Sequence, residues 1–337
     1  MIISNPKPPL VNRARRAHHT TGQMCALTGV LAFVLVATAC SGSTSSNRAA
    51  TPTKANSSTT SSKAAPTTGP TQAQAALVAQ RPFTLHVPPG ISAVKPLPLM
   101  VMLHGFGVTG AIEEAYLKLT PAADAHSMLY AYADGTPNPM GRRFWNATDA
   151  CCDPANTVDD SSYITALIAD VKSKHNVDPR RVFLVGHSNG GFMSYRMACD
   201  HSDEVAAIVS IAGATWQDPA KCAPKEGVAI LEVHGTADQT IKFDGGSTGF
   251  ATYPSATTTV ETWAGYNGCN KKADRPAAAS HAIEEQLPPA TVTSFSTGCK
   301  PNGDVELWTQ PNGVHIPPFS PTFAEQIVTF LLDHPKR

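Results

Sequence analysis

From about residue 81 onward, short unbroken apolar runs alternate with segments whose apolar residues return every three or four positions. The runs Phe83 to Val87, Leu97 to Leu103, Leu129 to Tyr132, Val182 to Val185, Ala206 to Ile211, Ala229 to Val233 and Val305 to Thr309 predict strands. Several have no polar face, which is the pattern of strands covered on both sides in a parallel sheet. Between them, Ile164, Leu167, Ile168 and Val171 recur at i, i+3, i+4 and i+7 and predict a helix starting near Asp159. Phe192 to Cys199 reads as a second helix. A closing helix is predicted from Ser320-Pro321, an N-cap followed by a first-turn proline, and it buries Phe323, Ile327, Phe330 and Leu331. Strand and helix in alternation predict an α/β fold with a mostly parallel central sheet and helices on both faces. At 337 residues the chain can build one large core and still carry appendages.

The first eighty residues have none of this alternation. Lys7, Arg13, Arg15 and Arg16 precede an uncharged run from Met24 to Ala39, which is shorter than the roughly 20 residues a spanning helix needs. The run ends Val36-Ala37-Thr38-Ala39-Cys40, which resembles the lipobox of bacterial lipoproteins, with Ala37 where Leu is usual. That resemblance implies a signal peptide over residues 1–40, a diacylglyceryl group on Cys40, and an exported protein held at the outer face of the cell membrane. An ordinary cleaved signal is the alternative, and Arg15-Arg16 leaves the export route open. Residues 41–80 are rich in Ser, Thr, Ala and Pro and carry too little apolar surface to offset the entropy of ordering. They are expected to form a disordered tether of about 35 Å typical reach, with the folded domain spanning 81–337.

Composition narrows the partners. The chain is 15% charged with a formal net charge of zero and has no basic run, so it lacks the electrostatic footprint of a nucleic-acid binder. Of eight cysteines, six lie beyond Cys40. Cys199 with Cys222 and Cys269 with Cys299 are spaced to close loops, leaving Cys151 and Cys152 as a vicinal pair, although six cysteines permit fifteen connectivities. Neither a Cys-x-x-Cys nor a His-Glu-x-x-His spacing occurs, and no metal is expected.

The chemistry is concentrated in Gly186-His187-Ser188-Asn189-Gly190, which directly follows a strand-like run and precedes a helical one. A serine at such a sharp turn projects its hydroxyl from the end of the sheet, and the flanking glycines avoid collisions with neighbouring backbone. Ser188 is therefore the candidate nucleophile. It needs a histidine base and a carboxylate to orient that base, and in this fold the order along the chain is Ser, acid, His. Asp238, after the run ending Val233-His234-Gly235, and His315, after Val305 to Thr309, occupy the required places; Asp244 is the reserve acid and His281 the reserve base. His187 is expected to point away from the site and His234 to bond locally. His104-Gly105-Phe106-Gly107 follows the Leu97 to Leu103 run, so the backbone N–H groups of Phe106 and Asn189 are the candidate oxyanion donors.

Taken together, Pro96 to Gly107, Trp145-Asn146, Cys151-Cys152, Val158-Asp159-Asp160, the Ser188 turn, His234 to Asp238 and His315 resemble the polyhydroxybutyrate depolymerase and feruloyl esterase family of secreted α/β hydrolases. The likeness covers roughly residues 81–333. It implies cofactor-free hydrolysis of carboxylic esters, with Ser188, Asp238 and His315 as the triad. The family often has Gly-Gly-x-His-x-Trp-Pro around its base, whereas this chain reads Asn312-Gly313-Val314-His315-Ile316-Pro317-Pro318. Asp159-Asp160 read as helix-capping residues rather than catalytic ones. Trp145 and Trp308 are candidate pocket walls. Acyl transfer or peptide cleavage could use the same residues, and an inert surface-binding scaffold is the alternative from outside enzymology.

Overall fold

The computed structural model describes residues 69–91, 94–152, 158–274 and 280–337. The chain divides into two units, residues 1–63 and 64–337, and all described residues belong to the second. The expected leader, Cys40 and the tether as far as residue 68 lie outside the described residues.

The elements run α1 (Gln72–Gln80), β1 (Phe83–His86), β2 (Leu97–Leu103), α2 (Gly110–Leu117), α3 (Thr120–Ala125), β3 (Leu129–Ala133), β4 (Thr136–Pro137), β5 (Arg143–Phe144), α4 (Asp160–Lys174), β6 (Val177–His187) and α5 (Asn189–Asp200). They continue with β7 (Ala207–Ile211), β8 (Ala229–Gly235), β9 (Gly246–Ser247), β10 (Thr252–Tyr253), α6 (Ala256–Tyr266), β11 (Ser280–His281), β12 (Ala290–Phe295), β13 (Val305–Gln310) and α7 (Phe323–Asp333). Nine strands form one sheet in the order β1-β3-β2-β6-β7-β8-β13-β12-β11. The six central strands from β3 to β13 are parallel. The strands outside them, β1 on one side and β12 and β11 on the other, pair antiparallel. This is the α/β architecture read from the sequence.

Every residue of β2 is buried, yet its two faces do different work. Leu99, Val101 and Leu103 pack with Ile164, Leu167, Ile168 and Val171 of α4, Phe192 of α5 and Trp263 of α6. Met100 and Met102 pack on the opposite side with Leu117 of α2, Ala122 of α3, and Phe323, Ile327 and Leu331 of α7. The alternation that a half-exposed strand shows as polar and apolar appears here as two apolar layers.

The fold departs from the sequence-based expectation in three places. The expected tether runs to residue 80, but Gln72–Gln80 form α1, opened by a capping box in which Thr71 and Gln74 satisfy each other's backbone N–H. Leu77 gives that helix a contact with the core. Ser320 does not cap the closing helix, which begins at Phe323 after Thr322. Its hydroxyl instead donates to the Ala282 carbonyl, beside the bridge between Glu284 and Phe319. The antiparallel extension β12–β11 has no counterpart among the expected strands. Asp159, by contrast, caps α4 as expected, accepting from Ser162 N at 2.9 Å. Disulfides join Cys151 to Cys152, Cys199 to Cys222, and Cys269 to Cys299, the pairing that the spacings favoured.

Candidate active site

Ser188 sits between the end of β6 and the start of α5 with φ 54° and ψ −118°, a backbone conformation that L residues rarely adopt. The turn persists because its neighbours allow nothing wider. A Cβ on Gly186 would strike the Gly190 carbonyl, and one on Gly190 would strike the carbonyl of Leu103 in β2. Ser188 N donates to Ile211 O of β7 at 2.7 Å, locking the turn to the adjacent strand.

Asp238 lies three residues beyond β8, and His315 five beyond β13, so both reach the same end of the sheet as Ser188. The two loops are tied together: Ala237 N donates to Gly313 O at 2.9 Å, and Asn312 N to Thr236 Oγ1 at 2.9 Å. His315 Nε2 is 2.9 Å from Ser188 Oγ, and His315 Nδ1 is 2.6 Å from Asp238 Oδ2. The other carboxylate oxygen of Asp238 accepts from Thr240 N at 2.7 Å and Ile241 N at 2.9 Å. Burial alone would raise the Asp238 carboxyl, but the nearby His234 ring and the hydrogen bond from His315 outweigh it and hold the group well below the usual carboxylate range. An ionised Asp238 fixes the proton of His315 on Nδ1, leaving Nε2 to accept the serine hydroxyl.

The two candidate oxyanion donors belong to the segment after β2 and to the first residue of α5. Among the hydrogen bonds of the described residues, neither Phe106 N nor Asn189 N has an acceptor. The peptide that carries Phe106 N–H is held through its other end, since His104 Nδ1 bonds Gly105 O at 2.7 Å. Gly135 N donates to His104 Nε2 at 2.8 Å, which places the ring proton on Nδ1. Burial lowers the His104 pKa and favours this neutral form. The Asn189 side chain clamps Trp145, accepting from its N at 2.7 Å and donating to its O at 2.9 Å.

Known proteins resemble this chain in sequence and fold. The model of the phospholipase/carboxylesterase family matches residues 91–267, a stretch containing Ser188 and Asp238. The putative esterase NocK of Nocardia uniformis subsp. tsuyamanensis is 31% identical over 67% of this chain and 67% of its own length. The chain belongs to the phospholipase/carboxylesterase family. Feruloyl esterase B of Piromyces equi is 29% identical over 56% of the chain, and the poly(3-hydroxyalkanoate) depolymerase C of Paucimonas lemoignei 29% over 46%. The chain spans 36% of the length of each of those two enzymes. The acetyl xylan esterase of Aspergillus awamori shares the fold, with a TM-score of 0.53 at 17% identity over 74% of this chain and 93% of its own. With this family and these relatives, the chain is a carboxylic-ester hydrolase of the α/β class.

Two further expectations change for this carboxylesterase. Trp145 is fully buried, its Nε1 donating to His104 O at 3.1 Å, so it backs the oxyanion segment from within the core. Trp308 is also buried, stacked on His281 with ring centroids 3.5 Å apart and bonded to Glu306. Neither presents surface to a ligand, and the pairing leaves the reserve base His281 away from Ser188. Asp244, the reserve acid, is exposed, and His315 is paired with Asp238 instead. His187 does not point away: its Nε2 donates to the His315 carbonyl at 3.0 Å, and its Nδ1 faces Glu113. His234 bonds locally, as expected, to Glu232 and to Ile241 O. Glu113 draws no attention as a sequence position, because a single glutamate near a helix start carries no motif.

Proposed function

We propose that this esterase works through an acyl-enzyme on Ser188. The observation that carries the proposal is the unbroken hydrogen-bonded chain from Ser188 Oγ through both nitrogens of His315 to Asp238. Ser188 Oγ attacks the ester carbonyl carbon as His315 Nε2 takes its proton, and Asp238 balances the imidazolium that results. Phe106 N–H and Asn189 N–H donate to the developing oxyanion. Collapse breaks the bond to the alcohol oxygen, which leaves with the proton from His315. Water then attacks the acyl carbon, giving its own proton to His315, and Ser188 departs with that proton as the acid is released.

The substrate is proposed to have an apolar portion. Val314 and Ile316, on either side of the base, are 48% and 65% exposed, and an aryl or alkyl group can cover them. The esters named in the relatives, feruloyl and hydroxyalkanoate, have that character. Hydrolysis of p-nitrophenyl esters from acetate to long chain, compared with Ser188→Ala, tests the reading. Turnover should fall by at least about 10³-fold in the variant while its fold is retained; a variant as active as the wild type would remove Ser188 from the mechanism.

Export and attachment through a lipid on Cys40 belong to the same proposal, supported by the charged start, the apolar run and the Val36-to-Cys40 pattern. Among the described residues no helix is long and apolar enough to cross a membrane. Mass spectrometry of the membrane-associated protein should find a diacylglyceryl-modified Cys40 at the mature N-terminus. A mature chain starting elsewhere would refute the anchor.

A further inference from the structure

We infer that Glu113 and His187 are a positioning pair that holds the oxyanion segment and the loop of the catalytic base at a fixed separation. Glu113 lies on the inner face of α2, and His187 immediately precedes Ser188. One carboxylate oxygen of Glu113 accepts from Gly105 N at 2.9 Å, and the other faces His187 Nδ1 at 3.0 Å. The second nitrogen of His187 bonds the His315 carbonyl at 3.0 Å. A continuous line of three bonds therefore runs from the residue beside Phe106 to the backbone of the base. Both side chains are almost wholly shielded from water, with 3% and 7% exposure.

The chemistry of the partners sets the charge of the pair. His187 faces a carboxylate on one side and a carbonyl on the other, and neither can donate, so both ring nitrogens carry protons. Burial opposes the charge on His187, but the bond to Glu113 outweighs it and raises the pKa. Burial likewise opposes ionisation of Glu113, and the His187 bond overcomes it in turn. A buried ion pair of this kind is of uncertain net value to stability, whereas its directional bonds fix geometry. The same helix reaches the base loop a second time one turn later, where Tyr116 OH donates to Pro317 O at 2.8 Å and its ring lies 5.7 Å from that of His187. Helix α2 thus brackets the base loop on two successive turns while its glutamate holds the oxyanion segment. Neither residue touches the reacting atoms; their effect is on where Phe106 N–H and His315 Nε2 sit.

The inference rests on the Ser188 reading, and the test separates the two. Glu113→Gln and His187→Asn are measured with p-nitrophenyl acetate, and competent sites are counted by fluorophosphonate labelling of Ser188. The amide introduced by Glu113→Gln can no longer accept at both positions. The shorter amide introduced by His187→Asn keeps a donor toward Glu113 while losing the one toward His315. In each variant kcat per labelled site should fall about tenfold or more, with KM within about threefold of wild type, since displacements near 1 Å cost catalysis on that scale. His187→Gln places its amide near the position of Nε2 and restores the donor to the His315 carbonyl, but it loses the donor toward Glu113, so it also breaks the line and its kcat per labelled site should fall about tenfold or more. If kcat per labelled site stays within about twofold of wild type in Glu113→Gln or in either His187 variant, or if KM rises in step with the fall in kcat, the pair does not position the site. Absence of labelling in the wild-type protein would instead overturn the Ser188 reading itself.

Discussion

His234 stands beside the Asp238 carboxylate. Its Nε2 is 3.6 Å from Asp238 Oδ2 and donates to Ile241 O at 2.8 Å, while its Nδ1 bonds Glu232, which also accepts from Tyr195 OH at 2.9 Å. Burial opposes a charged ring, but the adjacent carboxylates of Asp238 and Glu232 prevail and raise its pKa from 6.5 to about 9. A histidine whose pKa rises on folding binds its proton more tightly in the native state. Its stabilisation is complete below the unfolded value of 6.5 and is lost as pH climbs through about 9. Unfolding free energy measured by denaturant titration should therefore decline across that window. In His234→Gln the decline should be shallower by up to about 1.4 kcal/mol per pH unit, the equivalent of one proton; an unchanged slope would mean that His234 is neutral in the native protein. Ser188, Asp238 and His315 were readable because each has a fixed place in chain order after a strand. The contacts of Glu232 with Tyr195, of Glu113 with His187 and of His187 with the His315 carbonyl were not, since the partners are 37, 74 and 128 positions apart and only the folded sheet brings them together.

At the scale of elements, legibility followed how much of a segment's stability comes from its own pattern. β2 and β6 were clear because their apolar runs are long and central, and α4 because four apolar residues fall on one stripe. α6, Ala-Thr-Thr-Thr-Val-Glu-Thr-Trp-Ala-Gly-Tyr, carries three successive threonines that disfavour a helix locally. It forms because Ser255 caps it and because Val260 and Trp263 are buried against the sheet. β12 is similar: Ala-Thr-Val-Thr-Ser-Phe buries only Ala290, Val292 and Phe295, and its register is set by pairing with β13 along five residues, from Thr291 with Thr309 to Phe295 with Val305. The shifted start of α7 has the same origin. A Ser-Pro start signal is local, but Ser320 is drawn to Ala282 by the nearby bridge, so the helix opens two residues later. In all three the tertiary partner, not the propensity of the segment, decides the outcome.

Across the whole molecule, Arg81 joins the first helix to the turn at Ser188. Its guanidinium pairs with Asp160 at 2.7 Å, donates to Thr136 Oγ1 at 2.6 Å and lies 3.5 Å over the ring of Tyr163. Asp160 is fully buried at the start of α4, and its second oxygen accepts from Asn146 N at 2.6 Å. Asn146 follows Trp145, whose backbone is clamped by the side chain of Asn189, the residue after Ser188. Burial raises the Asp160 carboxyl, and Arg81 is the largest influence opposing it. Arg81→Ala leaves that carboxylate without its cation, which should cost about 3 to 5 kcal/mol in a denaturant titration. Arg81→Lys keeps the charge but not the planar stacking over Tyr163, so its stability should fall between that of the wild type and that of Arg81→Ala. A loss below about 1 kcal/mol in Arg81→Ala, the range of an exposed pair, would show that the contact is ornamental. Because the line of bonds continues from Asp160 through the Trp145 segment to Asn189, the same variant should also lose turnover under conditions where it stays folded. A stable Arg81→Ala protein with undiminished kcat would confine the role of Arg81 to holding the N-terminal helix.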